Sequence, residues 1–264
     1  MKLPTEKMIA ETDGPIGWIT FNNPSRRNAV SMDMWQAIPL IFDEFEADPA
    51  IRVIVFKGAG DKSFVSGADI SEFEQNRSSP EAVARYDEIG ATAQRRIEFT
   101  KKPTIAMIRG FCMGGGVGVA LACDLRIASD NAQFGIPAAR LGISYRLNGV
   151  KRLIELVGPA NAKEIFYTAR RFTAAEAFGM GLLNRVLPDG ELEDFVRSYC
   201  TMMAENAPLS LAAAKQIIAE VTKLPADVDR KLCEDLVQRC FASEDYIEGR
   251  RAFMEKRKPQ FRGR

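Results

Sequence analysis

Three short apolar segments separated by helical patterns constrain the fold of this chain most strongly. The segments are 51–58 (IRVIVFKG), 103–110 (PTIAMIRG) and 124–130 (DLRIASD), and the first is a continuous apolar run that ends in glycine. Such runs are typical of strands buried on both faces of a parallel sheet. A long polar–apolar helix at about 80–99 and a small-residue helix at about 115–122 separate them. This order of strand, helix and strand predicts an α/β fold.

The two ends of the chain have different patterns. Residues 8–23 contain two extended pieces on either side of an Asp-Gly-Pro turn, which predicts a hairpin, and residues 31–47 have helical spacing. Four consecutive helical segments end the chain without a Gly/Ser-rich linker before them. We therefore expect an α/β core over 1–190 and an all-helical region over 191–264. The amphipathic helices of that region must cover either the core or a neighbouring subunit.

Composition excludes several classes of function. The 264 residues are 46% hydrophobic, and 36 Lys plus Arg against 35 Asp plus Glu give a net charge of +1, too balanced for a dedicated nucleic-acid binder. The absence of histidine excludes a His-dependent triad, a His-ligated metal and an imidazole acid or base. Five widely spaced cysteines favour the reduced thiols of a cytosolic protein. Since no apolar run approaches the roughly 18 residues of a membrane-spanning helix, we expect a cytoplasmic protein without membrane contact.

Two glycine-containing loops predict a ligand site. The stretch 110–124 (GFCMGGGVGVALACD) follows a strand and enters a helix, so its main-chain N–H groups would gather at a helix N-terminus and suit an oxyanion. Alternatively, its small residues only let the helix pack closely on the sheet. The stretch 62–73 (KSFVSGADISEF) follows another strand. Such loops meet at the carboxyl edge of a parallel sheet, where ligands bind. Neither stretch matches a phosphate-binding GxxxxGK[ST] or a dinucleotide-binding GxGxxG pattern.

An ordered set of motifs extends this interpretation to the whole chain. SGADI and GFCMGGG, followed by CDLRIASDNAQFGIP, LGIS and RRFTAAEAFGMGLLNRVLP, resemble the enoyl-CoA hydratase/isomerase (crotonase) family. The resemblance implies a crotonase fold, a spiral of ββα units with a helical C-terminal region that builds trimers, often paired into hexamers. It implies an acyl-CoA thioester substrate, with no metal and no cofactor beyond the coenzyme A moiety. By position, the main-chain amides of Ala68 and Gly115 would polarise the thioester carbonyl.

The resemblance also assigns positions that bind coenzyme A. These are Arg26, Ala29, Ala68, Asp69, Ile70, Phe253 and Lys256. The main chain at 68–70 would surround the adenine, and the last two residues would reach the nucleotide, often from an adjacent subunit. For each basic residue the alternative is a solvated surface charge. For the carboxylates of Asp69 and Asp124 we expect structural roles, the first as a cap on a helix that begins near Ile70.

The chain departs from the hydratases at two positions. Family hydratases add water with two glutamates, and here Gly118 and Ala138 stand in their places. Losing a general acid or base commonly lowers the rate by about 10²- to 10⁴-fold per group, so we expect no ordinary hydratase activity. Decarboxylation of a malonyl-type thioester needs an oxyanion hole and no carboxylate base, because loss of CO₂ itself creates the enolate.

Two further stretches favour decarboxylation. Segments 141–153 and 243–261 are similar to methylmalonyl-CoA decarboxylases, which implies that Tyr145 lies in the pocket and holds the substrate carboxylate. Alternatively, Tyr145 is partly buried and its hydroxyl only satisfies a main-chain group. Arg146 and Asn148 are second candidates for this role.

Two other functions stay open. The chain could be another acyl-CoA lyase or isomerase of the same fold, with a base supplied by Glu72, Glu74 or a residue of segment 75–90. It could also be a catalytically silent acyl-CoA-binding protein, which would equally explain the missing glutamates.

Overall fold

A six-stranded sheet lies at the centre of the fold, as the apolar segments predict. The computed structural model describes residues 3–72 and 78–264. The strand order is β1-β2-β3-β5-β7-β10, in which β1 and β2 form the predicted antiparallel hairpin and the other neighbours are parallel. The strands of the large sheet are β1 Met8–Asp13, β2 Ile16–Phe21, β3 Val53–Gly58, β5 Thr104–Ile108, β7 Leu125–Ser129 and β10 Arg185–Leu187.

A second, four-stranded sheet lies beside the first, with strand order β4-β6-β8-β9. Its strands are β4 Ser63–Val65, β6 Phe111–Met113, β8 Gln133–Gly135 and β9 Phe172–Thr173. Three long strands of the central sheet, β3, β5 and β7, are each followed by one of these short strands and then by a helix. This repetition confirms the predicted arrangement of ββα units.

Nine α-helices surround the sheets in the part of the chain that the structure describes. They are α1 Met32–Ala47, α2 Pro80–Phe99, α3 Gly115–Ala122, α4 Leu147–Thr168, α5 Ala174–Gly179, α6 Leu192–Ala204, α7 Pro208–Val221, α8 Arg230–Phe241 and α9 Glu244–Glu255. The helices predicted at 31–47, 80–99 and 115–122 are confirmed, as are the four C-terminal ones. Helix α4 is interrupted at Gly158, where φ is +73°, directly before Pro159. None of the described helices is both long and apolar enough to cross a bilayer.

The first C-terminal helix belongs to the packing of the sheet. Leu192, Val196 and Cys200 on α6 are buried against one face of the sheet, on a cluster that includes Trp18 and Val55. The core thus supplies the surface that this amphipathic helix needs. The remaining helices α7–α9 keep large apolar side chains exposed. The division into an α/β core over 1–190 and a helical region over 191–264 stays a prediction.

Helix α3 is fixed at its C-terminal end by a buried arginine. The Arg126 guanidinium donates hydrogen bonds to the carbonyls of Ala120 and Cys123 at 3.3 and 2.8 Å, and to that of Leu182 at 2.8 Å. The carbonyls of Ala120 and Cys123 lie at the end of α3, where the last turn of a helix has no intrahelical donors for its carbonyls. Burial lowers the pKa of Arg126 from its ordinary value. The N-terminus of α3 is thereby held in one position relative to the sheet.

We predict effects of different size for two alanine substitutions on α3. A β-carbon on Gly116 would lie 2.3 Å from the carbonyl oxygen of Val65, whereas one on Gly118 would meet only the amide end of the Gln94 side chain at 3.1 Å. Gly116→Ala should lower the free energy of unfolding by about 1–3 kcal/mol through overpacking. Gly118→Ala should stay within about 1 kcal/mol of wild type, because the gain in helix propensity opposes the tight contact with Gln94. Urea denaturation measures both, and equal losses would contradict this packing.

Candidate functional site

The loop after β4 lies against the segment before α1. Val30 and Ala68 form an isolated parallel bridge, in which Val30 N donates to Gly67 O at 2.8 Å and Asp69 N donates to Val30 O at 2.9 Å. This pairing uses the carbonyl of Gly67 and the N–H of Asp69, but not the N–H of Ala68 between them. No main-chain or side-chain acceptor among the described residues takes the N–H of Ala68. The Ala68 amide is therefore available to a ligand.

The glycine run at the start of α3 places a second amide beside the first. Gly114 has φ +50° and ψ −111°, a conformation that favours glycine, and its N–H donates to Gly135 O at 2.9 Å. Gly115 is the first residue of α3, and its N–H has no acceptor in the described part of the chain. A β-carbon on Gly115 would lie 3.7 Å from Ala68 N. Two unpaired amides thus meet at the positive end of a helix dipole.

Two aromatic side chains border these amides. Trp35 Cζ2 lies 3.8 Å from where a β-carbon on Gly115 would be, and the Trp35 indole N–H donates to the Tyr86 hydroxyl at 3.3 Å. The Tyr145 hydroxyl lies 3.6 Å from the equivalent point on Gly114, and its ring packs edge-on against Phe166. The structure therefore places the Tyr145 hydroxyl next to the glycine run. Nothing in the local sequence pattern had indicated Trp35.

Arg26 and Asp69 are in direct contact next to the same loop. Arg26 Nη1 lies 3.1 Å from Asp69 Oδ1 and 2.8 Å from the Ser71 hydroxyl, and Asp69 Oδ1 also accepts the Ser71 N–H at 3.1 Å. Burial acts to raise the pKa of Asp69, but the hydrogen bonds from Ser71 and the charges of Arg26 and Lys7 outweigh it and lower the pKa. Asp69 therefore begins the 3-10 helix Ile70–Glu72 in its ionised form, in agreement with the expected capping role.

The other positions assigned to coenzyme A fall into two groups. Ala29 and Ile70 form the first group, because they lie close in the chain to Arg26 and Asp69, which are in contact. Ala29 is buried, and the Ile70 side chain is 62% exposed. Phe253 and Lys256 lie at the end of α9, where Phe253 is 83% exposed. Within the described residues of one chain, no hydrogen bond or ion pair joins them to these loops. Their approach from an adjacent subunit stays a prediction.

Most other charged candidates are engaged elsewhere. Asp124 Oδ2 accepts hydrogen bonds from Thr104 N at 2.8 Å and Lys215 Nζ at 2.9 Å, which confirms its structural role. Glu72 Oε2 accepts the N–H of Met32 at the start of α1 at 3.0 Å. Glu74 lies outside the described residues.

The second candidates for holding a substrate carboxylate face outward. Arg146 is exposed and ion-paired with Asp87 on α2, and Asn148 is exposed as well.

Burial raises the pKa of the Cys112 and Cys123 thiols, which makes nucleophilic thiolates unfavourable near the glycine run.

Neither position that carries a glutamate in the hydratases has a carboxylate here. Gly118 follows Gly115 by three residues and lies on nearly the same side of α3. It is partly accessible, and the nearest side-chain atom to a β-carbon there would be Gln94 Nε2 at 3.1 Å. Ala138 is buried in the 3-10 helix Pro137–Leu141. Sequence analysis missed Gln94, because no local motif joins residue 94 on α2 to residue 118 on α3.

We predict a pH-dependent contribution of Asp69 to stability. Because the folded-state pKa is lowered, ionised Asp69 stabilises the fold above its unfolded pKa, and this contribution is lost as the pH falls through the folded value. At pH 6, Asp69→Asn should cost about 1 kcal/mol. The difference from wild type should shrink as the pH is lowered toward 3, measured by urea denaturation. A difference that stays constant over this range would contradict an ionised Asp69.

Comparisons with known proteins agree with this geometry. The family model described as enoyl-CoA hydratase/isomerase matches residues 11–264. The chain is 36% identical over 251 residues to the short-chain-enoyl-CoA hydratase of Clostridium acetobutylicum, covering 95% of each protein. It is 38% identical over 258 residues to the crotonyl-CoA hydratase of Syntrophomonas wolfei subsp. wolfei, covering 97% of this chain and 98% of that one.

A solved structure shows the same likeness. The crystal structure of an enoyl-CoA hydratase/isomerase family protein from Hyphomonas neptunium superposes with a TM-score of 0.93 at 37% identity, covering 98% of each chain. The relatives are named as hydratases, and the similarity to methylmalonyl-CoA decarboxylases stays a prediction. The fold, the paired glycine loops and these matches over nearly the full length show that the chain belongs to the enoyl-CoA hydratase/isomerase family.

Proposed function

We propose that this member of the family decarboxylates methylmalonyl-CoA or a similar malonyl-type thioester. One combined observation carries the proposal: two unpaired main-chain amides, Ala68 N and Gly115 N, lie side by side, while Gly118 and Ala138 leave their surroundings without the hydratase carboxylates. Such a site stabilises an enolate, and positions 118 and 138 supply no carboxylate to activate water.

The proposed reaction follows from the charge it creates. The thioester oxygen accepts the N–H groups of Ala68 and Gly115. The electron pair of the C–C bond to the carboxylate moves toward the thioester carbonyl, so that CO₂ leaves and an enolate forms. A water molecule then gives a proton to the α-carbon, which yields the acyl-CoA and a hydroxide ion that combines with the released CO₂ as bicarbonate. Negative charge develops on the oxygen that faces the two amides, and preorganised donors are worth most there.

Tyr145 is the proposed catalytic side chain. Its hydroxyl lies near the N-terminus of α3, where it can donate to the substrate carboxylate and hold the breaking bond perpendicular to the thioester plane. The ion pair between Arg146 and Asp87 supports Tyr145 over Arg146 for this role. A neutral donor also leaves the carboxylate less stabilised in the ground state than a guanidinium would.

In this proposal, the loops of one chain and the C-terminal helix of a neighbouring subunit bind coenzyme A together. Arg26 and Ala29 would lie beside the pantetheine and the pyrophosphate, and the main chain of 68–70, with the exposed Ile70 side chain, would surround the adenine. Phe253 and Lys256 would complete the nucleotide site from a neighbouring subunit of a trimer or hexamer. Their high exposure in one chain supports a role in contacts between subunits. The reaction itself requires no metal and no further cofactor.

A second function, hydration of an enoyl-CoA, is favoured by the names of the relatives. Proteins 36% and 38% identical to this chain over nearly its whole length are hydratases by name. Hydration would need a base and an acid from positions other than 118 and 138. A catalytically silent acyl-CoA-binding protein is compatible with the same site. Substrate turnover distinguishes these functions directly.

We predict release of CO₂ and propionyl-CoA from methylmalonyl-CoA, and no hydration of crotonyl-CoA, when each is supplied separately and the products are followed by mass spectrometry. Gly115→Ala should fold, because its methyl group would meet nothing closer than 3.7 Å, and it should lower kcat about 10²- to 10³-fold by filling the space between the amides. Rapid hydration of crotonyl-CoA would overturn the proposal. Binding without turnover would identify the silent protein instead.

We further predict that Tyr145→Phe lowers kcat for decarboxylation about 10- to 100-fold, because it removes one hydrogen bond to a charged group. The matched control is Tyr167→Phe, since Tyr167 lies on α4 with its side chain 76% exposed. The control should keep the wild-type rate. Equal rates for wild type and Tyr145→Phe would restrict Tyr145 to packing against Phe166.

A further inference from the structure

A cluster of three polar side chains lies beside Gly118, and none of the three has a role in the proposed reaction. Gln94 and Glu98 are on α2, and Arg152 is on α4 with only 9% of its surface exposed. Arg152 Nη1 donates to Gln94 Oε1 at 2.9 Å, and Arg152 Nη2 is ion-paired with Glu98. The buried positive charge is therefore balanced within the cluster, and Gln94 is held in one orientation.

The hydrogen bond from Arg152 determines which end of the Gln94 amide faces Gly118. A guanidinium only donates, so the atom that it contacts must be the carbonyl oxygen of Gln94. The amide nitrogen, Nε2, then lies 3.1 Å from where a β-carbon on Gly118 would be. No acceptor in residues 3–72 or 78–264 takes its two N–H groups. Among the described residues, the buried side-chain atom without a partner is Trp18 Nε1, so the unpartnered Nε2 of Gln94 is accessible. Two open donors therefore point away from Arg152.

The spacing of Gly115 and Gly118 along α3 shows where the N–H groups of Gln94 lie relative to the proposed thioester site. Gly118 is three residues after Gly115 and thus lies about 4.5 Å further along the helix axis on nearly the same side. Of the six residues from 117 to 122, Gly118 is the one that stays partly accessible. Gln94 Nε2 thus lies next to the residue that follows, by about one helical turn, the amide proposed to hold the thioester oxygen. An acyl chain whose carbonyl faces Gly115 and which runs along α3 would bring a group on its α-carbon toward Gly118.

We propose that Gln94 Nε2 binds the free carboxylate of the acyl group, and that this makes the site selective for malonyl-type over uncharged thioesters. This inference rests on the proposed function, whose substrate class it specifies. Gln94 occupies the space that the side chain of a residue at 118 would fill, and it supplies donors where a hydratase has an acceptor carboxylate. The contact with Arg152 polarises the amide and strengthens its N–H donors, while the amide stays neutral.

The neutrality of Gln94 suits the reaction. A guanidinium in direct contact would stabilise the carboxylate strongly before reaction and so raise the barrier to losing it. Here the charge of Arg152 reaches the substrate only through Gln94, and Glu98 balances it. With the Tyr145 hydroxyl near Gly114, one helical turn away, each carboxylate oxygen can accept a different donor.

The test compares the binding of two ligands that cannot lose CO₂. One is 2-sulfonatopropionyl-CoA, in which a sulfonate replaces the carboxylate, and the other is butyryl-CoA, which carries no acyl charge. Gln94→Met keeps the length of the side chain and removes its donors. By isothermal titration calorimetry, it should raise Kd for the sulfonate about tenfold and leave Kd for butyryl-CoA within about twofold. Equal changes for both ligands, or no change for either, would overturn the inference.

A second variant keeps the test independent of the folding of the first. Gln94→Glu preserves the size of the side chain and adds a negative charge, so Kd for the sulfonate should rise by more than tenfold at neutral pH, again without an effect on butyryl-CoA. Gln238→Met on α8 is the matched control, because Gln238 is exposed and α8 packs against α7 and α9. Weakened sulfonate binding in this control would contradict a local role of Gln94.

The same measurements separate this inference from the proposed reaction. If wild type releases CO₂ from methylmalonyl-CoA and Gln94→Met binds both ligands as wild type does, recognition by Gln94 fails and decarboxylation stands. If wild type prefers the sulfonate and Gln94→Met loses the preference, but no CO₂ is released, the carboxylate site stands and decarboxylation fails.

Discussion

The site depends on one local pairing between two chain segments. The parallel bridge between Val30 and Ala68 uses the amides of residues 30 and 69, and leaves the Ala68 amide without a partner among the residues that the structure describes. The left-handed turn at Gly114 directs the start of α3 toward the same point and leaves the Gly115 amide open. Both amides are rigid because their neighbours are bonded. The site therefore needs no ionisable donor, which suits a chain without histidine.

The chemistry that such a pair of amides supports is decided by the side chains around it. The family relationship establishes an acyl-CoA enzyme, and in the reaction proposed for it a thioester enolate carries the charge to be stabilised. Here the two hydratase carboxylates are replaced by Gly118 and Ala138, and the space beside the first is occupied by the Gln94 amide. Beside Gly118 the proposed site therefore offers amide donors in place of an acceptor carboxylate, whereas Ala138 offers neither. Donors favour a substrate that carries its own carboxylate.

Much of this structure could be predicted from the sequence. The parts that could not be predicted share one physical reason. Strands β1, β2, β3, β5 and β7 and helices α1–α3 and α6–α9 were predicted from extended or apolar runs and from helical periodicity, and the structure confirms them, whereas β10, α4 and α5 were not predicted. The strands of the second sheet have two or three residues each, too few for any periodicity. The structural role of Asp124 followed from its position at the end of α3, and the hydrogen bonds from Thr104 and Lys215 explain it.

The site itself was predictable where it consists of local loops and not where it depends on packing. Ala68 and Gly115 each belong to a short motif, whereas Gln94 and Arg152 are separated by 58 positions in the chain and meet only because α2 and α4 pack beside α3. Trp35 lies beside Gly115 for the same reason. Contacts between helices leave no mark in a short stretch of sequence, so these residues could be found only in the folded chain.

The central claim, that the Ala68 and Gly115 amides together hold the thioester oxygen, is tested most directly by infrared difference spectroscopy. Butyryl-CoA labelled with ¹³C at the thioester carbonyl would be bound to wild type and to Gly115→Ala. The account predicts that the carbonyl stretch of the bound ligand moves to lower frequency than in solution, and that Gly115→Ala returns it to the solution value. A stretch that does not move in wild type, or that moves equally in both proteins, would contradict it.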